Sequence, residues 1–344
     1  MKKIILIFLA LLLVGCQSDM DRGQEVVEFR NNYSFKIPFQ ISSRRHMHQR
    51  RGVYKDDSYQ ITKGLYDYMT YYLVGNDNYT LAQGQEINDR MFDSLMRFKS
   101  NDNPNGLNPD SSQRFVLTNG ETITSPIIVA DLFELDVYDT NNQLVGMSIG
   151  LCVKQNVADN GKLSDSDLKK YGENAGRQLV SILKKEERMA NAKIIVAIYN
   201  LERIDSSLPG NFIGHLYFEN NVGQFDDTLD RWYLLPSSEA RGAYSELSDS
   251  FNIFKTSLND LIIDDHIGVI GRLNIVSNDI RELYIDINTD TKSYPEIQVL
   301  VNYVSKLLKQ HFSNDLEIKI KIMNGHDIKA MMEKRGEIVN TILW

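Results

Sequence analysis

The stretch FELDVYDTNNQLVGMSIGLCV, residues 133–153, decides the fold of this 344-residue chain. Its first part alternates apolar and polar residues, which predicts a half-buried strand. Its second part, residues 144–153, alternates large apolar residues with small ones, which are Gly146, Ser148, Gly150 and Cys152. Asp-Thr-Asn-Asn at 139–142 supplies a turn between the two parts. The stretch therefore predicts an antiparallel β-hairpin.

A helix and a buried strand follow this hairpin. Residues 164–190 place apolar side chains at helical spacing, with Ser164 as the expected N-cap. Gly172 and Gly176 on this helix indicate close packing on a sheet. Residues 193–199 are an apolar run, typical of a central strand buried on both faces. The order is therefore hairpin, helix, strand.

The same order recurs in the second half of the chain. Residues 267–276 and 281–288 flank a Ser-Asn-Asp turn, and Pro295 opens a helix at a position that tolerates proline. Residues 316–322 then alternate Leu or Ile with Glu or Lys. We therefore predict an α+β fold of two β-hairpin–helix–strand halves, with mixed sheets packed by helices and a possible structural duplication.

Further helices are expected at 58–73 and 86–98, before the first hairpin, and at 238–263, between the halves. The length suggests two domains. The expected segments are a signal peptide at 1–15, a lipid-attached tether and basic segment at 16–55, a first α+β domain at 56–222 and a second at 223–344.

The amino terminus has the layout of a lipoprotein signal peptide. Two lysines precede an uncharged run of eleven residues, 4–14, which is too short to span a bilayer as a helix. The expected lipobox, or signal cleavage motif, is Leu13, Val14, Gly15 and Cys16. The alternative is an ordinary secretory signal with a chance cysteine, but Leu13 departs from the small residue that such signals carry at that position.

Cleavage before Cys16 would leave its thiol to carry a diacylglyceryl group. Two acyl chains suffice for stable anchoring, because each buried methylene contributes about 0.8 kcal/mol. The expected partners are the membrane and the lipoprotein signal peptidase. The expected location is the outer face of the cell membrane.

A basic block lies just after the tether. Residues 29–55 contain seven Lys or Arg and no acidic residue, in a chain of net charge −8. One interpretation is contact with an anionic headgroup, wall polymer or host ligand, at about 1 kcal/mol per basic residue near an anionic surface. The candidate contacts are Arg44, Arg45, Arg50 and Arg51. The other interpretation is a solvated connector that pairs with the acidic body. The net negative charge argues against nucleic acid as a partner.

The chain lacks the short motifs of common enzyme classes, including the nucleophile elbow, the P-loop and the dinucleotide-binding glycines. The best acid–histidine cluster is DDH at 264–266, with a solvated turn as the alternative to a surface hydrolase site. Glu134 and Asp136 share one strand face and are interpreted as solvated. His46 and His48, expected on one strand face, lie among arginines that oppose a divalent cation. We expect no enzyme, no metal and no cofactor.

Cys152 is the only thiol besides Cys16, so no disulfide framework is expected. It lies on the small-residue face of its strand. We interpret it as a buried small hydrophobe and not as a reactive thiol.

Six segments in order, with the lipobox, resemble one family. They are YSFKIPF (33–39) with the Ser-Arg cluster after it, GLNP (106–109), GMSIGL (146–151), AIY (197–199), LPGNFI (208–213) and LLPSS (234–238). Together they are similar to the CamS family of Firmicute sex-pheromone lipoproteins, over almost the whole chain.

The resemblance implies a lipoprotein precursor. In that family a short apolar fragment of the released signal peptide acts as a peptide pheromone on hosts of conjugative plasmids. The family's fragment carries an Ile-Phe-Ile-Leu-Ala-like core that abuts the cysteine. Here the nearest match, ILIFLA at 5–10, is separated from Cys16 by residues 11–15. The alternative is a lipid-tethered binding module, adhesin-like or specific for a wall polymer.

Overall fold

The computed structural model describes residues 25–28, 33–50, 53, 55–73, 79–157, 161–203, 205–219, 222–227, 230–261 and 267–344. Their helices are α1 (Arg45–Arg50), α2 (Lys55–Tyr72), α3 (Asp89–Met96), α4 (Asp165–Leu183), α5 (Ser238–Ala243), α6 (Ser245–Asn259) and α7 (Tyr294–His311). Their strands are β1 (Glu25–Glu28), β2 (Ser34–Ile37), β3 (Thr80–Gln83), β4 (Arg114–Val116), β5 (Thr122–Thr124), β6 (Val129–Tyr138), β7 (Leu144–Val153), β8 (Asn156–Val157), β9 (Gly161–Lys162), β10 (Lys193–Asn200), β11 (Asn211–Glu219), β12 (Val222–Asp226), β13 (Asp230–Leu235), β14 (Gly268–Val276), β15 (Asp279–Thr289), β16 (Ile318–Asn324), β17 (Asp327–Arg335) and β18 (Ile338–Leu343).

The first large sheet contains the predicted hairpin, with the strand order β1-β2-β3-β6-β7-β10-β11-β12. β6 and β7 pair antiparallel, with Phe133 opposite Gly150. The chain then crosses through α4 and returns in β10, which lies parallel to β7, with Val196 opposite Ile149. The predicted order of hairpin, helix and strand is therefore confirmed.

The second large sheet has the order β13-β14-β15-β16-β17-β18. β14 and β15 form an antiparallel hairpin. α7 then carries the chain to β16, which pairs parallel with β15 and places Ile320 opposite Ile285. Glu296 and Ser293 form a capping box at the start of α7, with Pro295 in its first turn as predicted.

The two sheets repeat one topology. Each has a strand, helical structure, a hairpin, a crossover helix, a parallel strand and a final hairpin. In each, the six strands of this unit lie side by side in chain order, as β3-β6-β7-β10-β11-β12 and as β13 to β18. The expected duplication is thus present in the topology, and it extends one strand before and two strands after the predicted unit. The first sheet ends at Asp226 and the second begins at Asp230.

The first sheet is covered by helices on both faces. α2 lies on the face that carries the small residues of β7, and a Cβ at Gly150 would lie 2.8 Å from the Ile61 side chain. Cys152 is fully buried on this face, as interpreted from the sequence. α3 and α4 cover the other face, where a Cβ at Gly172 would lie 2.6 Å from Ile198. The glycines therefore let helix backbones approach the sheet closely.

Within the described ranges, α5, α6 and α7 cover one face of the second sheet. Apolar side chains of α5, α6 and α7 pack on the alternate residues of β14, β15 and β16 that form its core. The opposite face carries half-buried polar side chains, including Tyr284. The guanidinium of Arg272 lies 5.9 Å and the ammonium of Lys319 lies 5.3 Å from the centre of the Tyr284 ring. This polar face borders the cleft described below.

The structure corrects the prediction that Glu134 and Asp136 are solvated. β6 is buried along its whole length, because α2 covers one face and the segment before α3 covers the other. The backbone N–H groups of Glu86 and Ile87 donate to Glu134, and that of Gln85 donates to Asp136. Both carboxylates are therefore part of the core.

Two further expectations about local structure were wrong. His46 and His48 lie in helix α1 and not on a strand. The helix predicted at 238–263 is interrupted at Tyr244, whose non-helical backbone (φ −138°, ψ 66°) separates α5 from α6. Among the described residues, no helix is both long and apolar enough to span a bilayer.

Candidate functional site

A cleft of about 390 Å³ lies where α2 faces the second sheet. Its volume falls in the range of ordinary small-molecule sites. α2, β11, β12 and β13 contribute to its wall, together with residues of the β14–β15 hairpin. The lining residues are Gln60, Lys63, Gly64, Asp67, Tyr68, Tyr71, Tyr72, Phe212, His215, Asp226, Asp230, Trp232, Asn274, Val276, Arg281 and Glu282.

Glycine in α2 allows the helix to approach the floor of the cleft. A Cβ at Gly64 would lie 2.2 Å from the Phe212 ring, so a larger residue would push the helix away from β11. Phe212 packs edge-on against Tyr68 at 5.6 Å between ring centres. The position of the tyrosines of α2 therefore depends on this close contact.

An aromatic cluster surrounds His215, a buried residue of β11. Its Nε2 lies 2.6 Å from the Tyr72 hydroxyl, and its ring centre lies 4.4 Å from that of Tyr68. Tyr72 also stacks on Tyr217 at 4.3 Å. Burial lowers the pKa of His215, which favours the neutral imidazole. The His215 Nδ1 has no hydrogen-bond partner within the described part of the chain.

Ion pairs connect the two sides of the cleft. Asp67 on α2 accepts a 2.9 Å hydrogen bond from Arg281 of β15 and another 2.9 Å bond from Lys63, one turn earlier on α2. Glu282, the next residue of β15, accepts a 2.6 Å bond from Lys319 of β16. The two cations that line the cleft are therefore both engaged by Asp67.

Asp230 is a partly buried carboxylate of the cleft. It begins β13, and the amide nitrogen of Asn274 donates to it at 2.6 Å. Burial raises the pKa of Asp230 to about 6, although the Asn274 hydrogen bond and the cations of Arg281 and Lys63 act in the opposite direction. An environment that raises a carboxyl pKa in a concave site is a marker of function.

A second cavity of about 1010 Å³ also borders Trp232. Its charges are balanced in sign, and two of its cations are paired: Lys169 bonds to Asp227, and Arg203 bonds to the buried Asp57. Because it presents no excess of charge, we take the smaller cleft as the candidate site.

The arginines predicted as polyanion contacts have different surroundings. Arg44 is only 3% exposed and donates to Glu134 at 2.8 Å, so it cannot reach an external polymer, which corrects the prediction for that residue. Arg45 and Arg50 are exposed. Arg51 lies outside the described residues. The basic segment is therefore partly a structural element of the core.

His48 also pairs inside the protein. Its Nδ1 lies 2.8 Å from Asp131, and its ring stacks on Phe133 at 3.9 Å. Cys16, the other lipobox residues and the acid–histidine cluster at 264–266 lie outside the described residues. Among the residues that are described, no group of three or more His, Cys, Asp or Glu side chains is arranged to hold a metal ion.

Sequence reasoning did not identify the cleft. Tyr68, His215, Asp230 and Arg281 are far apart in the chain and form no motif of fixed spacing. Two weak signals were present. The tyrosine-rich end of α2 has more aromatic rings than one core-facing stripe requires, and Asp230 is an acidic first residue in β13, a strand that ends in four apolar or aromatic residues.

One family model matches most of the chain. Residues 39–337 match the model of the family described as CamS sex pheromone cAM373 precursor. The fold is similar to the crystal structure of a sex pheromone precursor from Lactobacillus salivarius subsp. salivarius UCC118, with a TM-score of 0.80 and 20% identity, over 94% of this chain and 99% of that one.

The chain is also similar to the C-terminal domain of the sex pheromone staph-cAM373 precursor from Staphylococcus aureus. That match has a TM-score of 0.68 and 21% identity, over 84% of this chain and 96% of the other. Identities this low show the fold alone, and none of the curated proteins matches. Because the family match spans most of its length, the chain belongs to the CamS sex pheromone cAM373 precursor family.

Proposed function

We propose that this protein is a lipid-anchored surface precursor. The observation that carries the proposal is the sequence Leu13-Val14-Gly15-Cys16 after a short apolar run, in a chain that belongs to a family of pheromone precursors. Cys16 is the acyl acceptor, and two acyl chains hold the protein on the outer face of the membrane. Lipoprotein signal peptidase cuts between Gly15 and Cys16.

Membrane fractionation tests the anchor. Cys16→Ala is expected to move the protein from the membrane fraction to the soluble or secreted fraction. Cys152→Ala is the matched control, because it removes the buried thiol and leaves the lipobox intact, so this variant should stay with the membrane. Recovery of Cys16→Ala in the membrane fraction at the wild-type level would contradict the proposal.

The cleaved segment is the proposed source of a pheromone peptide. It is uncharged over residues 4–14, and the family to which the chain belongs is described as a pheromone precursor. Culture filtrate of producing cells should contain a peptide that ends near Gly15. Its absence from the filtrate, with the mature protein present on the same cells, would leave the anchored domain as the only product.

The anchored domain is proposed to be a binding module, with the cleft between α2 and the second sheet as its ligand site. Support comes from the concave shape, the aromatic wall and the buried Nδ1 of His215, which has no hydrogen-bond partner in the described part of the chain. The carboxylate of Asp230, which is hydrogen-bonded by the amide of Asn274, adds to this support. No catalytic step is assigned to this site.

A second candidate function is contact with an anionic polymer through the exposed residues Arg45 and Arg50. Replacing both with alanine should weaken binding of dextran sulfate, and the effect should fall as salt is raised, because exposed charges are screened. The control is the double replacement of Lys306 and Lys309, two lysines of α7, which removes the same charge elsewhere. Equal loss in both double variants would show a non-specific charge effect and remove this candidate.

A further inference from the structure

The cleft has an excess of negative charge. Four acidic and two basic side chains line it. Both bases bond to Asp67, at 2.9 Å each, and Glu282 is paired with Lys319 at 2.6 Å. Asp67 and Glu282 are therefore paired with cations, whereas the charges of Arg281 and Lys63 act on Asp230 without an ion pair to either of them.

The hydrogen-bond donors to Asp230 are neutral groups, whereas a partly buried carboxylate usually pairs with a cation. Asp230 accepts hydrogen bonds from the amide of Asn274, at 2.6 Å, and from the backbone N–H of Phe212, and it forms no salt bridge with any residue that the structure describes. An enclosed charge is costly unless it is paired and hydrogen-bonded. A cation that enters from outside would supply the missing partner.

Aromatic rings stand beside this carboxylate. Tyr68, Tyr72 and Trp232 all line the same cleft. Burial raises the pKa of the Tyr68 hydroxyl, and the charges of Asp230 and Asp226 raise it further, so this ring shares the environment of both carboxylates. The faces of Tyr and Trp rings attract cations by about 0.5–2 kcal/mol each.

Three other classes of ligand fit this arrangement less well. A metal ion lacks the required ligand cluster within the described ranges. An anionic ligand would meet carboxylates of its own sign. A neutral sugar would stack on the rings and would leave the charge of Asp230 without a counter-ion.

We propose that the cleft binds a ligand with a substituted ammonium group, with Asp230 as the counter-ion and the rings of Tyr68 and Tyr72 as the aromatic contacts. This assignment rests on the proposed function of the cleft as a ligand site, and it names the class of the ligand.

Calorimetric titration of the full chain in detergent tests the assignment with two probes of nearly the same shape. Choline carries a quaternary ammonium group, and 3,3-dimethylbutan-1-ol replaces its nitrogen with carbon. Choline should bind saturably with a Kd of about 1 mM or lower, and the neutral alcohol at least about tenfold more weakly. Asp230→Asn, which keeps the shape of the side chain, should weaken choline binding by about tenfold or more.

Asp290→Asn is the control, because Asp290 is an exposed aspartate outside the cleft, and its choline affinity should equal that of the wild type. Equal affinity for both probes, no saturable choline binding, or an unchanged affinity in a folded Asp230→Asn variant would overturn the assignment.

N-acetylglucosamine is the third ligand. One outcome is that the sugar binds, that choline does not bind, and that Trp232→Ala abolishes sugar binding. In that case the ammonium assignment fails and the cleft remains a ligand site. If neither molecule binds, the ammonium assignment fails, and the lipid anchor is judged by its own fractionation test.

Discussion

At the scale of the residue, burial makes Arg44 a counter-ion in the core and not a surface contact. Its guanidinium is buried beside Glu134, contacts the Ile87 carbonyl and lies 5.1 Å from the centre of the Phe92 ring. The pKa of Glu134 is raised, mainly by burial, while the charge of Arg44 acts to lower it. Removing the arginine would leave a buried carboxylate without its counter-ion.

Arg44→Met is therefore expected to reduce the free energy of unfolding by about 3–5 kcal/mol at pH 8. The loss should be smaller at pH 5. Without Arg44 the folded-state pKa of Glu134 lies further above its unfolded value, so the folded state holds the proton longer and stability falls as the pH rises. Arg45→Met, at the exposed neighbour, should change stability by less than about 0.5 kcal/mol. Urea unfolding of both variants at the two pH values checks this, and equal effects at positions 44 and 45 would contradict it.

Asp230 makes a separate contribution to the pH dependence. Burial raises its pKa to about 6, with Asn274, Arg281, Lys63 and Tyr68 as its neighbours. An unfolded aspartate titrates near 3.9. Between about pH 4 and 6 the folded state binds more protons than the unfolded state at this group, so its contribution to stability falls as the pH rises.

Asp230→Asn should therefore match the wild type near pH 4 and exceed its stability at pH 7, by up to about 3 kcal/mol. Thermal unfolding across this range measures the difference. Asp290→Asn serves as the reference. If the stability of Asp230→Asn depended on pH in the same way as that of the wild type, the folded protein would not raise the pKa of Asp230. A stabilising replacement of this kind would mean that the natural residue is retained for binding.

At the scale of the element, glycine position decides how helices meet the sheets. Gly172 faces Ile198 from α4, whereas a Cβ added at Gly242, near the end of α5, would meet no described atom within 4 Å. Ala is favoured over Gly in a helix by about 1 kcal/mol when space is available. Gly→Ala substitutions at the two positions therefore distinguish the effect of helix propensity on stability from the effect of packing.

Gly172→Ala is expected to destabilise the protein by about 1–3 kcal/mol, because the added methyl group overpacks the interface with Ile198. Gly242→Ala should be neutral or stabilising by up to about 1 kcal/mol. Chemical unfolding of the two variants under one set of conditions compares them directly. A stabilising effect at position 172 would show that α4 moves away from the sheet at little cost.

The predictability of the elements follows the range of the interactions involved. The β6–β7 hairpin, the N-cap Ser164 and the proline in the first turn of α7 depend on neighbours in sequence, and all were predictable. The burial of Glu134 depends on Arg44, ninety positions earlier, so alternation in β6 alone did not show that the face of Glu134 is buried as well. The cleft depends on contacts between α2 and β15, which no local pattern encodes.

At the scale of the molecule, the repeated topology gives each half its own core. The second half has a continuous set of buried residues from β13 to β17 and from α5 to α7, while its polar face needs no helix to cover it. A unit with its own core and its own sheet meets the conditions for independent folding.

A fragment of residues 230–344 is therefore expected to fold alone and to unfold cooperatively in urea. Far-UV and near-UV circular dichroism would record both the secondary structure and the packing of the core. The fragment should not bind the ligand of the cleft, because α2 and His215 are missing. A non-cooperative transition would show that the second half depends on the first for its fold.

The lipid anchor is tested most directly by the mass of the amino-terminal peptide of the protein extracted from membranes of producing cells. We expect a chain that begins at Cys16 and carries a diacylglyceryl group on that residue. A peptide that begins at Met1, or one that begins at Cys16 without acyl chains, would contradict it.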